Sequence, residues 1–271
     1  MCDFCIKHGA GKKWYLNMMN YSREMEKDSD RRRLYLDIFG DFDNTTKETY
    51  DRKKLGWLRM PVLGDVFRWW IGAKLEREHC GQVIPLEEAY TILDMVNPIV
   101  RVPCVCKQMA GIKEKVCLGI GMIAREYVDT FKFSRGEWEQ LTPDEAKEHV
   151  HNWDEDGLVH TVWTIKSPYI FALCQCEYPW CLGWRVRADY RVKKNLRKGE
   201  YVAQVDVNKC IGCGECVKRC QFKARYISTK TGRAIVDVTR CYGCGLCKTS
   251  CERHATSLIP RLQIPLVRAD W

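Results

Sequence analysis

The 271-residue sequence contains no apolar run approaching the roughly 18–20 residues that a membrane-spanning helix needs. Its first residues, MCDFCIKHGAGKKWYL, lack the apolar core of a secretory leader. No G-x-G-x-x-G dinucleotide loop, P-loop or nucleophile elbow occurs anywhere in it. GAGKKW, from Gly9 to Trp14, has the wrong spacing for a phosphate loop, and no strand pattern precedes it. These absences argue against a membrane span, an export route and self-contained nucleotide or acyl chemistry. What the chain has instead is cysteine, seventeen in all. Without an export leader, that number points to a reducing cytoplasm and to metal ligation rather than to disulfides.

Eight of the cysteines form two copies of one run, 31 residues apart. DVNKCIGCGECVKRC holds Cys210, Cys213, Cys216 and Cys220, and DVTRCYGCGLCKTSC holds Cys241, Cys244, Cys247 and Cys251. Each reads C-x-x-C-x-x-C-x-x-x-C. Three thiolates at two-residue gaps lie on one tight loop, and thiolate is the soft ligand that iron–sulfur chemistry favours. Gly212, Gly214, Gly243 and Gly245 suit such a loop, because glycine tolerates positive φ and lets backbone N–H groups approach sulfur. The repeat reaches beyond the cysteines, with Asp206 matching Asp237, Val207 matching Val238, and Ala224 matching Ala255.

Residues 200–260 resemble a two-cluster bacterial ferredoxin, whose ligand spacing is this one. The resemblance implies a pseudo-two-fold fold with two 4Fe–4S clusters and one-electron transfer through them. It implies that Cys210, Cys213 and Cys216 pair with Cys251, while Cys241, Cys244 and Cys247 pair with Cys220. The family run usually ends in proline, whereas Gln221 and Glu252 follow the fourth cysteines here; that returns a backbone N–H at each place. Two structural zinc sites are the alternative that four-thiolate sets leave open.

Nine cysteines remain: Cys2, Cys5, Cys80, Cys104, Cys106, Cys117, Cys174, Cys176 and Cys181. Two C-x-C pairs, Cys104 with Cys106 and Cys174 with Cys176, are each followed by a further cysteine, Cys117 and Cys181. We read these six as the walls of one further metal site, with Cys2 and Cys5 of CDFC as contributors. An additional 4Fe–4S cluster is the leading occupant and zinc the alternative, while packing as small hydrophobes remains open. Cys80 reads as packing. His8 and His160 read as structural rather than as ligands. The layout of PCVC, PDEA, DGLVH and the CxC–x4–C segment resembles a cysteine-rich N-terminal domain fused to ferredoxins in anaerobes.

The expected fold is therefore α+β, with a helix-rich mixed domain over residues 1–190 and a basic linker plus dicluster ferredoxin domain over 191–271. Asp65 is read as the N-cap of a helix that Gly81 ends, with Trp69 and Trp70 packed inside. A second helix follows Pro85 and presents Leu86, Ala89, Tyr90, Leu93 and Val96. Thr142 with Glu145 makes a capping box, Pro143 takes the first helical position, and Gly157 closes that helix. Residues 158–173 read as one or two β segments. Further strands are expected at 204–207 and 234–238. RVKKNLRKGEY (191–201) reads as the linker, and Arg31, Arg32 and Arg33 as a solvated segment.

Charge is unevenly placed. Residues 185–271 carry a surplus of +12, and the rest of the chain carries −3. A basic cluster domain steers toward an acidic docking surface, and Lys209, Lys218, Arg219, Arg240 and Lys248 favour higher cluster potentials. No stacking platform accompanies the charge, which disfavours nucleic acid. The expected role is an electron-transfer subunit of a cytoplasmic oxidoreductase complex. Its partner would be a tungsten, molybdenum or flavin enzyme, an aldehyde:ferredoxin oxidoreductase type being one analogy. The alternatives are a catalytic or substrate-binding iron–sulfur domain at the N-terminus, and a redox sensor or maturation factor.

Overall fold

Successive strand residues point to opposite faces of a sheet, and the strands of the upstream half are apolar on both. The computed structural model describes residues 13–21, 56–121, 135–165 and 170–270, with a few isolated positions between them. Cys2, Cys5, His8 and the Arg31–Arg32 pair lie outside the described residues, as does the side chain of Cys80.

The architecture is α+β. A seven-stranded sheet runs in the order β4-β2-β3-β6-β5-β1-β7. Its strands are β1 (His79–Val83), β2 (Ile99–Val102), β3 (Cys117–Ile120), β4 (Glu139–Leu141), β5 (Val159–Ile165), β6 (Ile170–Cys176) and β7 (Leu196–Arg197). All neighbours are antiparallel except β1 and β7. On one face, Leu118, Ile120, Val162 and Leu173 join the apolar sides of two helices, Leu86–Met95 and Pro143–Glu155. On the other, Val159, Trp163, Ala172 and Cys176 pack with Trp184 and with Leu246 of the C-terminal third. That second face is the seam between the halves.

The C-terminal third is built from two short antiparallel ribbons. Tyr201–Val205 (β8) pairs with Thr256–Pro260 (β11), and Arg225–Ile227 (β9) pairs with Ala234–Val236 (β10). Asp206 N donates to Ala255 O at 2.8 Å, and Asp237 N donates to Ala224 O at 2.8 Å. Each half of the repeat therefore closes on the matching residue of the other.

Several expectations hold. The helix after Pro85 buries Leu86, Ala89, Ile92 and Leu93. Thr142 and Glu145 form the capping box, with Pro143 first in the helix and Gly157 beyond its end at φ +88°. Residues 158–173 fall into two strands that pair with each other.

Other expectations need correction. Asp65 is not a cap: the helix begins at Leu63, and Asp65 lies in its first turn paired with Arg68. Gly81 does not end that helix but sits in β1, opposite Trp163, where a Cβ would come within 2.5 Å of the indole ring. Trp69 and Trp70 are not packed; they are 73% and 60% exposed. Segment 191–201 does not span freely. Val192, Asn195, Leu196, Lys198 and Glu200 are buried, and β7 joins the upstream sheet. The upstream half combines helices with this sheet, in keeping with the expected mixed domain; β1 to β4 are strands of 3 to 5 residues, too short to show a period in the sequence.

Candidate metal centres

The two repeat loops reproduce one geometry. Gly212 and Gly214 have φ of +74° and +83°, and Gly243 and Gly245 have +71° and +89°. At Gly243 a Cβ would lie 2.2 Å from Tyr201 O, and at Gly212 it would lie 2.0 Å from Gly232 O. Only glycine admits both the φ and the close approach. Short helices follow at Glu215–Lys218 and Leu246–Thr249. They carry Cys216 and Cys247 and lead to Cys220 and Cys251.

The structure brings the eight cysteines together in two sets. One small cavity is lined by Cys241, Cys244, Cys247 and Cys220. A second is lined by Cys210, Cys213, Cys216 and Cys251. Backbone amides point at four of the sulfurs. Ala234 N and Ala203 N lie 3.4 Å from the Cys210 and Cys241 sulfurs, and Ala224 N and Ala255 N lie 3.3 Å from those of Cys220 and Cys251. N–H donation of this kind stabilises charge on sulfur.

Burial works against free thiolates here. It pushes the Cys244 thiol well up and the Cys247 thiol to about 12, with the neighbouring thiols adding to the rise. Burial also raises Cys216, while the Arg225 guanidinium pulls back on both Cys216 and Cys247. Arg225 itself is only 4% exposed. Its Nη2 donates to Thr256 Oγ1 at 2.6 Å, but Nε and Nη1 find no hydrogen-bond partner. An orphaned buried guanidinium is costly unless an anion accepts from it. Arg225 lines the first cavity, so this donor set suits an anionic, thiolate-ligated cluster. Sequence reasoning missed Arg225, although the repeat offered a signal: the matching residue 31 positions on is Thr256.

The six upstream cysteines are also brought together. Cys117 in β3 lies directly opposite Cys174 in β6, so both sulfurs share one face of the sheet, and Cys176 lies two residues further along it. Cys104 precedes the short helix Val105–Gln108, and Cys181 precedes the helix Leu182–Ala188. The thiols make contacts from Cys174 to Cys117, Cys104, Cys106, Cys181 and Cys176 in turn. The Thr161 hydroxyl lies 3.3 Å from the Cys176 sulfur. The contacts of Cys106 and Cys117, with the N–H groups of Lys107 and Cys106, hold the Cys104 thiol well below its usual range. Contact with Cys104 and burial push Cys106 and Cys117 well up. Lys107, which follows Cys106 in the chain and is buried, is paired with Glu114 and Glu177.

His160 is structural, as expected. It is buried, with Nε2 3.1 Å from Asp154 Oδ1 and Nδ1 2.5 Å from Gln175 Oε1. Gln221, where the ferredoxin pattern has proline, ties the two halves together. Its Nε2 donates to Gly157 O at 2.5 Å, and its Oε1 accepts from Tyr178 N at 3.1 Å. Phe222 follows, stacked between Trp184 at 4.4 Å and Tyr242 at 3.9 Å. A buried polar network was also not foreseen. Glu88 accepts from Tyr15 and Tyr201 and pairs with Lys13, and burial pushes the Glu200 carboxyl up to about 7.

Residues 203–226 match the 4Fe–4S binding domain family. The match covers the first cysteine run, Cys210 to Cys220. It identifies a ferredoxin-like iron–sulfur segment and supports an iron–sulfur electron-transfer role. No curated protein matches the chain. Among the described residues, no helix is long and apolar enough to cross a membrane.

Proposed function

We propose that the chain is an electron-transfer protein carrying two 4Fe–4S clusters in its C-terminal third. Cys210, Cys213, Cys216 and Cys251 would hold one, and Cys241, Cys244, Cys247 and Cys220 the other. The observation that carries this reading is the pair of thiol-lined cavities with a buried guanidinium whose Nε and Nη1 find no partner among the described residues. The clusters supply one-electron exchange. The protein supplies ligands and N–H donors to sulfur.

The division into residues 1–190 and 191–271 remains our working description, with segment 191–201 packed onto both halves. The partner we envisage is a catalytic oxidoreductase subunit, of tungsten, molybdenum or flavin type, with an acidic docking face. Exposed Lys209 and Lys218 would meet that face. We place the protein in the cytoplasm, on cysteine usage.

The test is iron, acid-labile sulfide and zinc per chain on anaerobically purified protein, together with the EPR spectrum after dithionite reduction. Two cubanes contribute about eight irons and give a reduced spectrum with two interacting signals. Stoichiometric zinc with little iron would overturn the reading.

A further inference from the structure

The ring of six upstream thiols is the largest group of soft ligands outside the C-terminal sites. Four separate elements deliver it: β3, β6 and the starts of two helices. All six cysteines are buried or half-buried, and all are free of disulfides. Two of these sulfurs share one face of the sheet across β3 and β6, and the starts of two helices bring further thiols to the set. A sulfur set of this size selects a soft metal.

The spread of the ligands narrows the choice further. Among the described residues, no three His, Cys, Asp or Glu side chains converge on a point as the ligands of a single ion do. The same holds for the eight C-terminal cysteines, one run of which matches a 4Fe–4S binding family. Six thiols outnumber the four ligands of one tetrahedral zinc, which favours a polynuclear iron–sulfur centre.

The ring is also joined to the C-terminal third. Cys176 and Cys181 belong to the same packed apolar cluster as Trp184, Phe222, Tyr242 and Cys244. Trp184, Phe222 and Tyr242 form a continuous stack, with ring planes 18° and 6° apart. Tyr242 adjoins Cys241 in sequence, and Phe222 lies two residues beyond Cys220. Close-packed side chains, without an intervening solvent layer, connect the thiol ring to one C-terminal site.

We propose that Cys104, Cys106, Cys117, Cys174, Cys176 and Cys181 form the ligand shell of a further iron–sulfur centre, which exchanges single electrons with the Cys241, Cys244, Cys247 and Cys220 site across the Trp184–Phe222–Tyr242 stack. In that exchange one centre loses an electron and the other gains it; no bond is made or broken. The proposal rests on the reading of the C-terminal sites as 4Fe–4S clusters.

Reciprocal variants of the full chain, purified anaerobically, separate the two claims. In C106S/C174S, iron and sulfide per chain fall by about a third to a half, and one component of the dithionite-reduced EPR spectrum disappears. In C213S/C216S/C244S/C247S, the iron that remains belongs to the upstream ring and keeps its own reduced signal. If C106S/C174S leaves iron and EPR unchanged, or loses zinc instead, the upstream centre is refuted while the C-terminal reading stands. If the fourfold variant leaves iron unchanged, the C-terminal reading fails. Wild-type iron and sulfide at only the two-cubane level would overturn the proposal even if C106S/C174S does not fold. A second arm uses W184L. Iron content is expected to stay constant, while electron equilibration between the EPR components after rapid mixing with substoichiometric dithionite slows at least tenfold. An unchanged rate would remove the stack from the proposal.

Discussion

Replacing Arg225 with methionine removes a buried positive charge from between the two C-terminal cysteine sets and keeps most of the aliphatic volume. The guanidinium acts on Cys216 of one set and on Cys247 of the other, so both centres should respond. A unit charge at roughly 6 Å, with an effective dielectric near 20, is worth about 3 kcal/mol. For a one-electron couple that corresponds to a shift of roughly 100 mV. Reduction adds negative charge, which the guanidinium stabilises; its removal should lower both potentials. The assay is a redox titration of wild type and R225M followed by EPR at fixed pH and salt. Metal-free protein supplies a control of opposite sign. With no anionic cluster beside it a buried guanidinium is costly, so R225M in that state should be neutral or stabilising to urea despite losing the bond to Thr256. Potentials that stay put or rise would refute the idea that Arg225 faces anionic clusters. A metal-free variant weakened by several kcal/mol would show that the guanidinium is satisfied without them.

Three further outcomes can be checked together. Gln221→Pro restores the residue usual in two-cluster ferredoxins but deletes bonds to Gly157 O and Tyr178 N. It should cost about 1–3 kcal/mol in urea unfolding, with unchanged EPR of the C-terminal clusters. Gly243→Ala forces a Cβ against Tyr201 O at a φ of +71°; it should cost at least about 2 kcal/mol and reduce iron content, and full iron at wild-type stability would contradict the loop geometry. Glu200, only 4% exposed, has a carboxyl that burial pushes to about 7, with nearby Glu88 adding to the rise and Gln82 opposing it. Its folded pKa exceeds the unfolded one, so the native state holds the proton more tightly. Its contribution to stability is complete below about pH 4.5 and is lost as pH rises to about 7, by roughly 3 kcal/mol. Melting of Glu200→Gln across that window should show a flatter pH slope than wild type.

Much of the C-terminal third was legible because each requirement there is local. A thiol-bearing loop needs positive φ at fixed offsets, and glycine reports that directly; the crossed bonds of Asp206 to Ala255 and Asp237 to Ala224 connect pairs already visible as repeat mates. The capping box at Thr142 and Glu145 was legible for the same reason. The upstream half was harder to read. Four strands of its sheet have only 3 to 5 residues, and pairing β3 with β6 joins residues 57 apart, Cys117 with Cys174. Gly81 misled because glycine both ends helices and makes room for a ring, and only the position of Trp163 distinguishes the two. The six upstream cysteines could be grouped by spacing, but their order around the ring is a product of tertiary structure.

The repeat is informative also where its halves disagree. Ile211 corresponds to Tyr242, Gln221 to Glu252, Phe222 to Arg253 and Arg225 to Thr256. Gln221, Phe222 and Tyr242 all face the upstream half, binding Gly157 and Tyr178 or stacking toward Trp184. Their counterparts form no such contact among the described residues, and Ile211 is 59% exposed beside an exposed Cys213. Two sites of one ancestry have thus been given different surroundings: the Cys241–Cys247 loop is covered by the upstream sheet, and the Cys210–Cys216 loop is open. A carrier with two equivalent open ends would need neither the aromatic stack nor the glutamine clamp. The asymmetry fits the proposed path, in which the covered loop would face the thiol ring and the open loop would be left to an external partner. Gln221 uses its position after the fourth cysteine to reach across the seam, while Glu252, at the open site, forms no comparable clamp among the described residues.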